Sequence, residues 1–478
     1  MSSSTHPSET ILSPEEKHVD ATSSPDPTAP ISPAEEKLTP AKVAAPPTPT
    51  VLTAPAWLSV AGASACLFST FGFSNAFGVF QDYYETTLLP DSSPNAIAWV
   101  GSVSFGLIFL GGMVGGLLMD RFGPRPLFIY QAIVYPLSAM LTSLCTEYYQ
   151  ILLAQGILQG LSLACSFSVP IACCMIWFKE KKGIAIGIVV SFSSLGGVVW
   201  PIIVKALLDN VGFGWTWRAI GFIVFGLLCF TAATVTSPLP QHQTNLRLFK
   251  GKSTSPEKES APGPAPPRQP FFYAEAFRHL PYDLFALAYF FVFLGLTYTL
   301  FFLPTWGGTK GLSSSLQVYS LSILNAASIF GRLLVPIAAD KLGAFNLIIF
   351  CAGACMIIVF ASMGVTGPAG VLVVGGFYGF TSGGVISLLA SCTASVTPDL
   401  RRISSALGQL SACAAVAALL GSPICGWIIA SPAGFTGAQG FSGGSLGLGA
   451  LLMVSCGKGQ LSEQGLISTR SRNVRMAD

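Results

Sequence analysis

The sequence predicts an all-α membrane protein whose twelve transmembrane helices form two six-helix halves. Three observations carry this. Of the 478 residues, 51% are hydrophobic and only 10% are charged, against roughly 25% charged in an ordinary soluble domain. Uncharged apolar runs of about 20 residues, the length that spans ~30 Å of hydrocarbon as a helix, recur along the chain from Trp57 onward. The basic residues alternate between the connecting segments as a twelve-span topology requires.

Residues 1–54 are rich in Ser, Thr, Pro and charge and contain no apolar run. They read as a disordered tail, neither a signal peptide nor a folded domain. The N-terminal half, 55–237, places spans near 57–80, 98–119, 126–146, 149–177, 184–208 and 217–237. A polar, Pro-rich linker covers 238–281. The C-terminal half, 282–456, places spans near 282–304, 317–338, 346–366, 369–391, 404–430 and 437–456. The last of these holds six glycines and is followed by a polar tail, 457–478, so it is expected to be the weakest helix of the set.

With both ends inside, the outer side keeps only Lys205, Arg218 and Lys310, and the cytoplasmic side holds the other 22 of the 25 basic residues. This predicts cytoplasmic termini, and the cell membrane is the expected location. The net charge of +3 is too small to suggest a nucleic-acid partner. The partners to expect are the lipid bilayer and a small organic solute, with a carboxylate among the candidates; oligomeric state is not legible. No cofactor or metal is expected: the four histidines (His6, His18, His242, His279) lie outside the spans, and the twelve cysteines form no C-x-x-C and read as small apolar packing residues.

The halves echo each other. Gly116, Asp120, Arg121, Gly123 and Arg125 follow span two, and Asp340, Lys341 and Gly343 follow span eight. Each set is an Asp, a base, one apolar residue and a Gly at the equivalent place in its half. Duplicated six-helix halves around a midplane site are a transporter architecture. The two turns read either as solvated loops or as a charge latch closing one face. Glycines at 111, 112, 115 and 116, and again at 183 and 187, allow close helix approach.

These residues resemble the major facilitator superfamily, whose loop motif G-x-x-x-D-R-x-G-x-R matches the first repeat. Trp177-Phe178-Lys179-Glu180-Lys181-Lys182-Gly183, continuing through Ala185 and Gly187, resembles the corresponding signature of the monocarboxylate transporter group. Gly72 through Gln81 in span one resembles its fungal branch. The resemblance covers roughly 57–440. It implies a secondary transporter working by alternating access and no enzymatic activity.

Arg332 is the one basic residue deep in a span, about 12 Å of helix before the Asp340 turn. The resemblance implies that it holds a substrate carboxylate, which guanidinium suits; snorkelling to the surface or pairing with a neighbouring helix are the alternatives. Asn325 and Ser328 share its helix face. Asn75, Gln155, Gln159, Tyr298, Tyr378 and Gln409 are the further candidate pathway contacts, each also able simply to bond across helices. Trp200-Pro201 reads as a break late in span five.

Two departures from the group matter. Asn75 stands where well-studied carriers have a lysine, and Ser328 where they have an aspartate. No Asp, Glu or His lies deep in any span, so proton-coupled lactate-type transport is not expected. The leading expectation is a monocarboxylate-permease-like transporter. The alternatives are export of a fungal secondary metabolite, uptake of a vitamin-like molecule, and a non-transporting membrane sensor. No G-x-x-x-x-G-K-[ST] is present to drive an ATP-dependent pump, and no cluster of His, Asp or Cys supports a membrane enzyme.

Overall fold

Apolar runs of this length form helices because lipid offers no partner to a free backbone amide or carbonyl, so each segment must satisfy its own. The computed structural model describes residues 54–92, 94–178, 182–238, 274–397 and 402–475. The expected N-terminal tail up to residue 53, most of the linker (239–273), and Lys179 and Lys181 lie outside these residues, as does the side chain of Lys182.

In the first half, α1 is Ala54–Leu88, α2 Pro94–Phe122, α3 Pro124–Thr142 and α4 Tyr148–Trp177. A helical stretch Lys182–Thr234 follows. Gly212 divides it (φ 74, ψ 173) into α5 (182–211) and α6 (213–234). The second half has α7 Leu280–Thr309, α8 Ser314–Leu342, α9 Ala344–Ser362, α10 Pro368–Val396, α11 Ile403–Ala430 and α12 Gly434–Arg475.

Three sequence expectations are corrected. Trp200-Pro201 does not end α5, which runs through Pro201 to the break at Gly212. Trp200 instead anchors α5 to α1, its indole Nε1 donating to Phe68 O at 2.9 Å. The last helix is longer than expected: α12 is continuous from Gly434 to Arg475, beyond the expected end at 456. Its glycines let it lie directly on α7, where Ser442 Oγ donates to Gly295 O at 2.5 Å and a side chain at Gly449 would meet Val292. α1 is not a plain helix either. It is built from Ala54–Ser69, Phe71–Ser74, Phe77–Tyr83 and a π turn, Tyr84–Leu88.

Each duplicated turn is a single residue, as is the Gly212 break. Gly123 (φ 82) and Gly343 (φ 89) are the only residues between α2 and α3 and between α8 and α9. Both adopt a left-handed conformation that a side chain would strain. Within the first half α5 packs on α1, and α6 on α1 and α3; within the second, α12 packs on α7 and α9, and α8 on α10. The halves meet along two seams, α2 against α11 and α5 against α8.

Candidate functional site

The seams are made close by glycine. Along α2, Gly111 and Gly115 face Ala164 and Cys165 of α4, whereas Gly112 and Gly116 face Ser411 and Ser404 of α11 in the opposite half. On the other seam Gly183 lies on the Pro336 carbonyl and Gly187 on Leu333. Each seam ends in an aspartate. Asp120 Oδ2 accepts from the Ser405 backbone N–H at 2.9 Å and from the Ser405 hydroxyl. Asp340 Oδ1 accepts from the Gly183 N–H at 3.0 Å. Each carboxylate thus sits at the first turn of a helix in the other half, where unpaired amides and the helix dipole favour an anion. The bundle is drawn shut at the Asp120/Asp340 end. Consistently, α10 is buried from Thr381 to Ala390, and α4 from Cys165 to Met175.

Asn325, Ser328 and Arg332 form one stripe, and the stripe faces α5. Asn325 lies on Gly197. Ser328 Oγ takes a bond from Ser194 Oγ at 3.3 Å. The Arg332 guanidinium is buried and donates from Nε to Ser328 Oγ (3.1 Å), and from Nη1 to Val190 O (3.2 Å) and to Ser193 Oγ. It therefore ties α8 to α5 across the halves with neutral oxygens alone.

The remaining candidates disperse. Gln155 accepts from the Tyr84 hydroxyl at 2.6 Å. Gln409 Oε1 accepts from the Tyr282 hydroxyl at 3.1 Å, while its Nε2 has no partner among the described residues. The Tyr298 and Tyr378 hydroxyls are buried without a hydrogen-bond partner among the described residues. Asn75 is exposed on α1, its Nδ2 bonded back to Phe71 O at 3.0 Å. Arg121, Lys341 and Gly343 are exposed, and Arg125 is half-buried at the start of α3.

Gln159 lines a cavity. The cavity is small, about 30 Å³, and lies between α1, α2 and α4. Phe73, Phe77 and Phe105 give it aromatic walls, Ser74, Ser104 and Gly101 complete it, and Gln159 is its amide. Gln159 Nε2 is buried without a hydrogen-bond partner among the described residues. Its depth in the fold comes from local irregularity. α4 passes through a π turn at Leu152–Leu158 immediately before Gln159, and a 3-10 turn at Leu163–Cys165 after it. α1 is interrupted at Thr70 and at Asn75–Ala76, on either side of Phe73 and Ser74. Thr70 Oγ1 and Ser74 Oγ bond to the Cys66 and Thr70 carbonyls there (2.6 and 3.2 Å). π turns inside helices concentrate at functional sites.

Beyond this cavity the aromatics continue across the bundle. Phe71 contacts Phe105, Phe109 and Phe167, at ring separations of 5.7 to 5.8 Å. Phe109 and Phe105 in turn meet Phe293 (5.5 Å) and Phe301 (6.1 Å) of α7 in the other half. None of these phenylalanines stood out in the sequence, because Phe in an apolar span carries no contrast. The i, i+4 pair Phe73/Phe77 flanking two polar residues was the available signal.

Comparison with known proteins agrees with this architecture. The model of the Major Facilitator Superfamily matches residues 60–402. The chain is 38% identical over 376 residues to the MFS-type transporter pynF of Aspergillus niger, covering 79% of this chain and 82% of that one. It is 36% identical to the aspyridones efflux protein apdF of Emericella nidulans (85% and 79% covered) and 33% identical to the agnestins efflux protein AgnL12 of Paecilomyces divaricatus (85% and 88%). Two solved structures share the fold at low identity. They are FucP in the outward conformation (TM-score 0.60, 12% identity) and the human organic anion transporter MFSD10 (TM-score 0.62, 15%). Each match covers 84% of this chain and 98% of the solved one. A twelve-helix bundle of two halves, joined along glycine-lined seams and matched by that family over most of its length, is a multi-pass secondary transporter, not an enzyme: the chain belongs to the Major Facilitator Superfamily.

Proposed function

We propose that this transporter exports a small secondary metabolite. The observation that carries the reading is the naming of apdF and AgnL12 as efflux proteins, when both align with more than four-fifths of this chain. The site supports the same direction. The cavity is aromatic and its lining residues are uncharged. Arg332, the residue a carboxylate permease would use, is occupied with α5. Export therefore accounts for the site better than monocarboxylate uptake does.

The distribution of Lys and Arg supports an Asp120/Asp340 end that faces the cytoplasm, with both termini on that side and the chain in the cell membrane. The closed seams then correspond to a state accessible from outside. Release of the two aspartate caps lets the halves rock about the seams and opens the cytoplasmic side.

Deletion of the gene in its host, followed by metabolite profiling of cells and medium, tests the proposal. Export predicts that at least one aromatic product shifts from medium to cells, and that it returns when the gene is restored. An unchanged distribution of every product, with a fall in uptake of supplied carboxylates, would establish the permease reading in its place.

A further inference from the structure

The two seams between the halves are closed by different means. On α5–α8 the polar contacts climb the helices. The Gly183 N–H donates to Asp340 at the end of the seam. About two turns further in, Arg332 Nη1 donates to Val190 O and Ser193 Oγ. Ser191 Oγ lies 3.3 Å from Ile329 O, and Ser194 Oγ donates to Ser328 Oγ at 3.3 Å. The clasp is steadied from behind by α10, whose Ser387 Oγ donates to Arg332 O at 3.3 Å. On α2–α11 the cross-half hydrogen bonds seen among the described residues sit at Asp120. Above them lies glycine packing: Gly112 on Ser411, Gly408 on Met113, and Gly106 on Leu419. Ser411 spends its hydroxyl on Leu407 O of its own helix at 2.8 Å. The repeat makes the contrast exact in position. Arg332 stands eight residues before Asp340, and the residue eight before Asp120 is Gly112.

These joints suit different motions. Glycine faces touch through many weak, undirected contacts, which tolerate sliding and separation. A buried guanidinium held by several oxygens does not: moving its acceptors away breaks directed bonds and strands a cation at depth. A rocking pair of halves needs one line that moves least, and the Arg332 level of α5–α8 has the bonds for it. We propose that the α5–α8 seam is the hinge of the transport cycle, pivoting at Arg332, while the α2–α11 seam is the gate, held shut from its Asp120 end and parting along its glycines. Asp340 then trims the cytoplasmic end of a joint that Arg332 keeps closed above it. The halves open to one side instead of separating evenly along both seams. This inference uses the alternating access of the family and is independent of which solute moves and in which direction.

The test measures distances across each seam in the full-length protein in lipid nanodiscs, by double electron–electron resonance. Nitroxides are attached to p-acetylphenylalanine, which leaves the native cysteines unlabelled. One pair replaces Val114 and Val416, exposed residues of α2 and α11; the other replaces Phe192 and Leu334, exposed residues of α5 and α8. Asp120→Ala should lengthen the 114–416 distance by about 5 Å, the scale of a one-turn displacement. The 192–334 distance should stay as in the parent, which also shows that the variant is folded. Asp340→Ala should alter neither distance, because the clasp above the lost cap is intact. Adding Arg332→Met to Asp340→Ala removes the donors and should lengthen the 192–334 distance, with an unaltered 114–416 distance as the control for folding. A 114–416 distance fixed in Asp120→Ala overturns the proposal. So does a 192–334 distance that lengthens in either single variant, or one that stays fixed in Asp340→Ala/Arg332→Met.

Discussion

Asp340, at the end of α8, accepts a hydrogen bond from the backbone amide of Gly183 in the first turn of α5. One half of the molecule thereby caps a helix of the other. Asp120 does the same for α11 through Ser405. Loss of such a cap costs about 1 kcal/mol. Asp340→Ala should therefore speed amide hydrogen exchange in the 183–190 region about fivefold, with little change at 404–410. Asp120→Ala should show the opposite pattern. Exchange measured by mass spectrometry on both variants checks that each seam has its own lock.

Replacing Arg332 tests the strut between α8 and α5. Lysine presents its donors from a single nitrogen and cannot reproduce guanidinium's spread, so it cannot reach Ser328, Val190 and Ser193 together. Both Arg332→Lys and Arg332→Ala should lower stability by about 1–3 kcal/mol, the cost of leaving buried groups unpaired. Thermal unfolding in detergent measures this. A lysine variant as stable as the parent would show that the three contacts are dispensable.

The α1–α5 crossing depends on two facing glycines. A Cβ at Gly72 would lie 2.7 Å from the Gly196 Cα, and one at Gly196 would lie 2.6 Å from Phe68 O. Gly72→Val and Gly196→Val should abolish monodisperse protein. Gly78→Ala, where nothing stands within 4 Å, should be tolerated. Size-exclusion profiles of the three variants decide the matter.

Tyr84 and Gln155 share a buried 2.6 Å hydrogen bond. Tyr84→Phe should cost about 1–3 kcal/mol because it strands the Gln155 carbonyl. Gln155→Leu combined with Tyr84→Phe should cost less than the two single changes added together. Thermal melts of the three variants provide the coupling energy.

The acidic residues described within the helices lie toward their ends: Asp82 and Glu85 late in α1, Asp120 and Asp340 at the seams, Asp209 late in α5, Asp283 early in α7 and Glu463 late in α12. Proton relays within membranes are built on such side chains at depth. Downhill flux of an uncharged solute through reconstituted protein should therefore not follow an imposed pH gradient. Flux reversed by reversing the gradient would refute this.

The helices were legible because lipid leaves the backbone one solution, and the apolar runs mark it directly. The duplicated D-[RK]-x-G turns were legible as a pair, and Gly123 and Gly343 are indeed left-handed in both. What escaped was set by contacts between distant segments. Trp200-Pro201 looked like a break, yet Trp200 is held by Phe68 while the real break is at Gly212. Gln155 and Gln159 looked equivalent at one turn apart. The π turn before Gln159 and the phenol of Tyr84 divide their roles, and neither is written in the spacing. Arg332 looked poised for a ligand because its partners are a carbonyl and a hydroxyl on α5 and a hydroxyl of its own helix, groups that carry no charge to announce themselves.

The single-residue turns at Gly123 and Gly343 have a mechanical consequence. With no slack between them, α2 cannot tilt without α3, nor α8 without α9. Yet α3 and α9 turn side chains such as Ile133, Phe350 and Ile357 outward, each more than half exposed. The helices that carry the two aspartate latches are thus levers whose far arms are immersed in acyl chains. Bilayer thickness and lateral pressure act on the same hinges as the transported molecule.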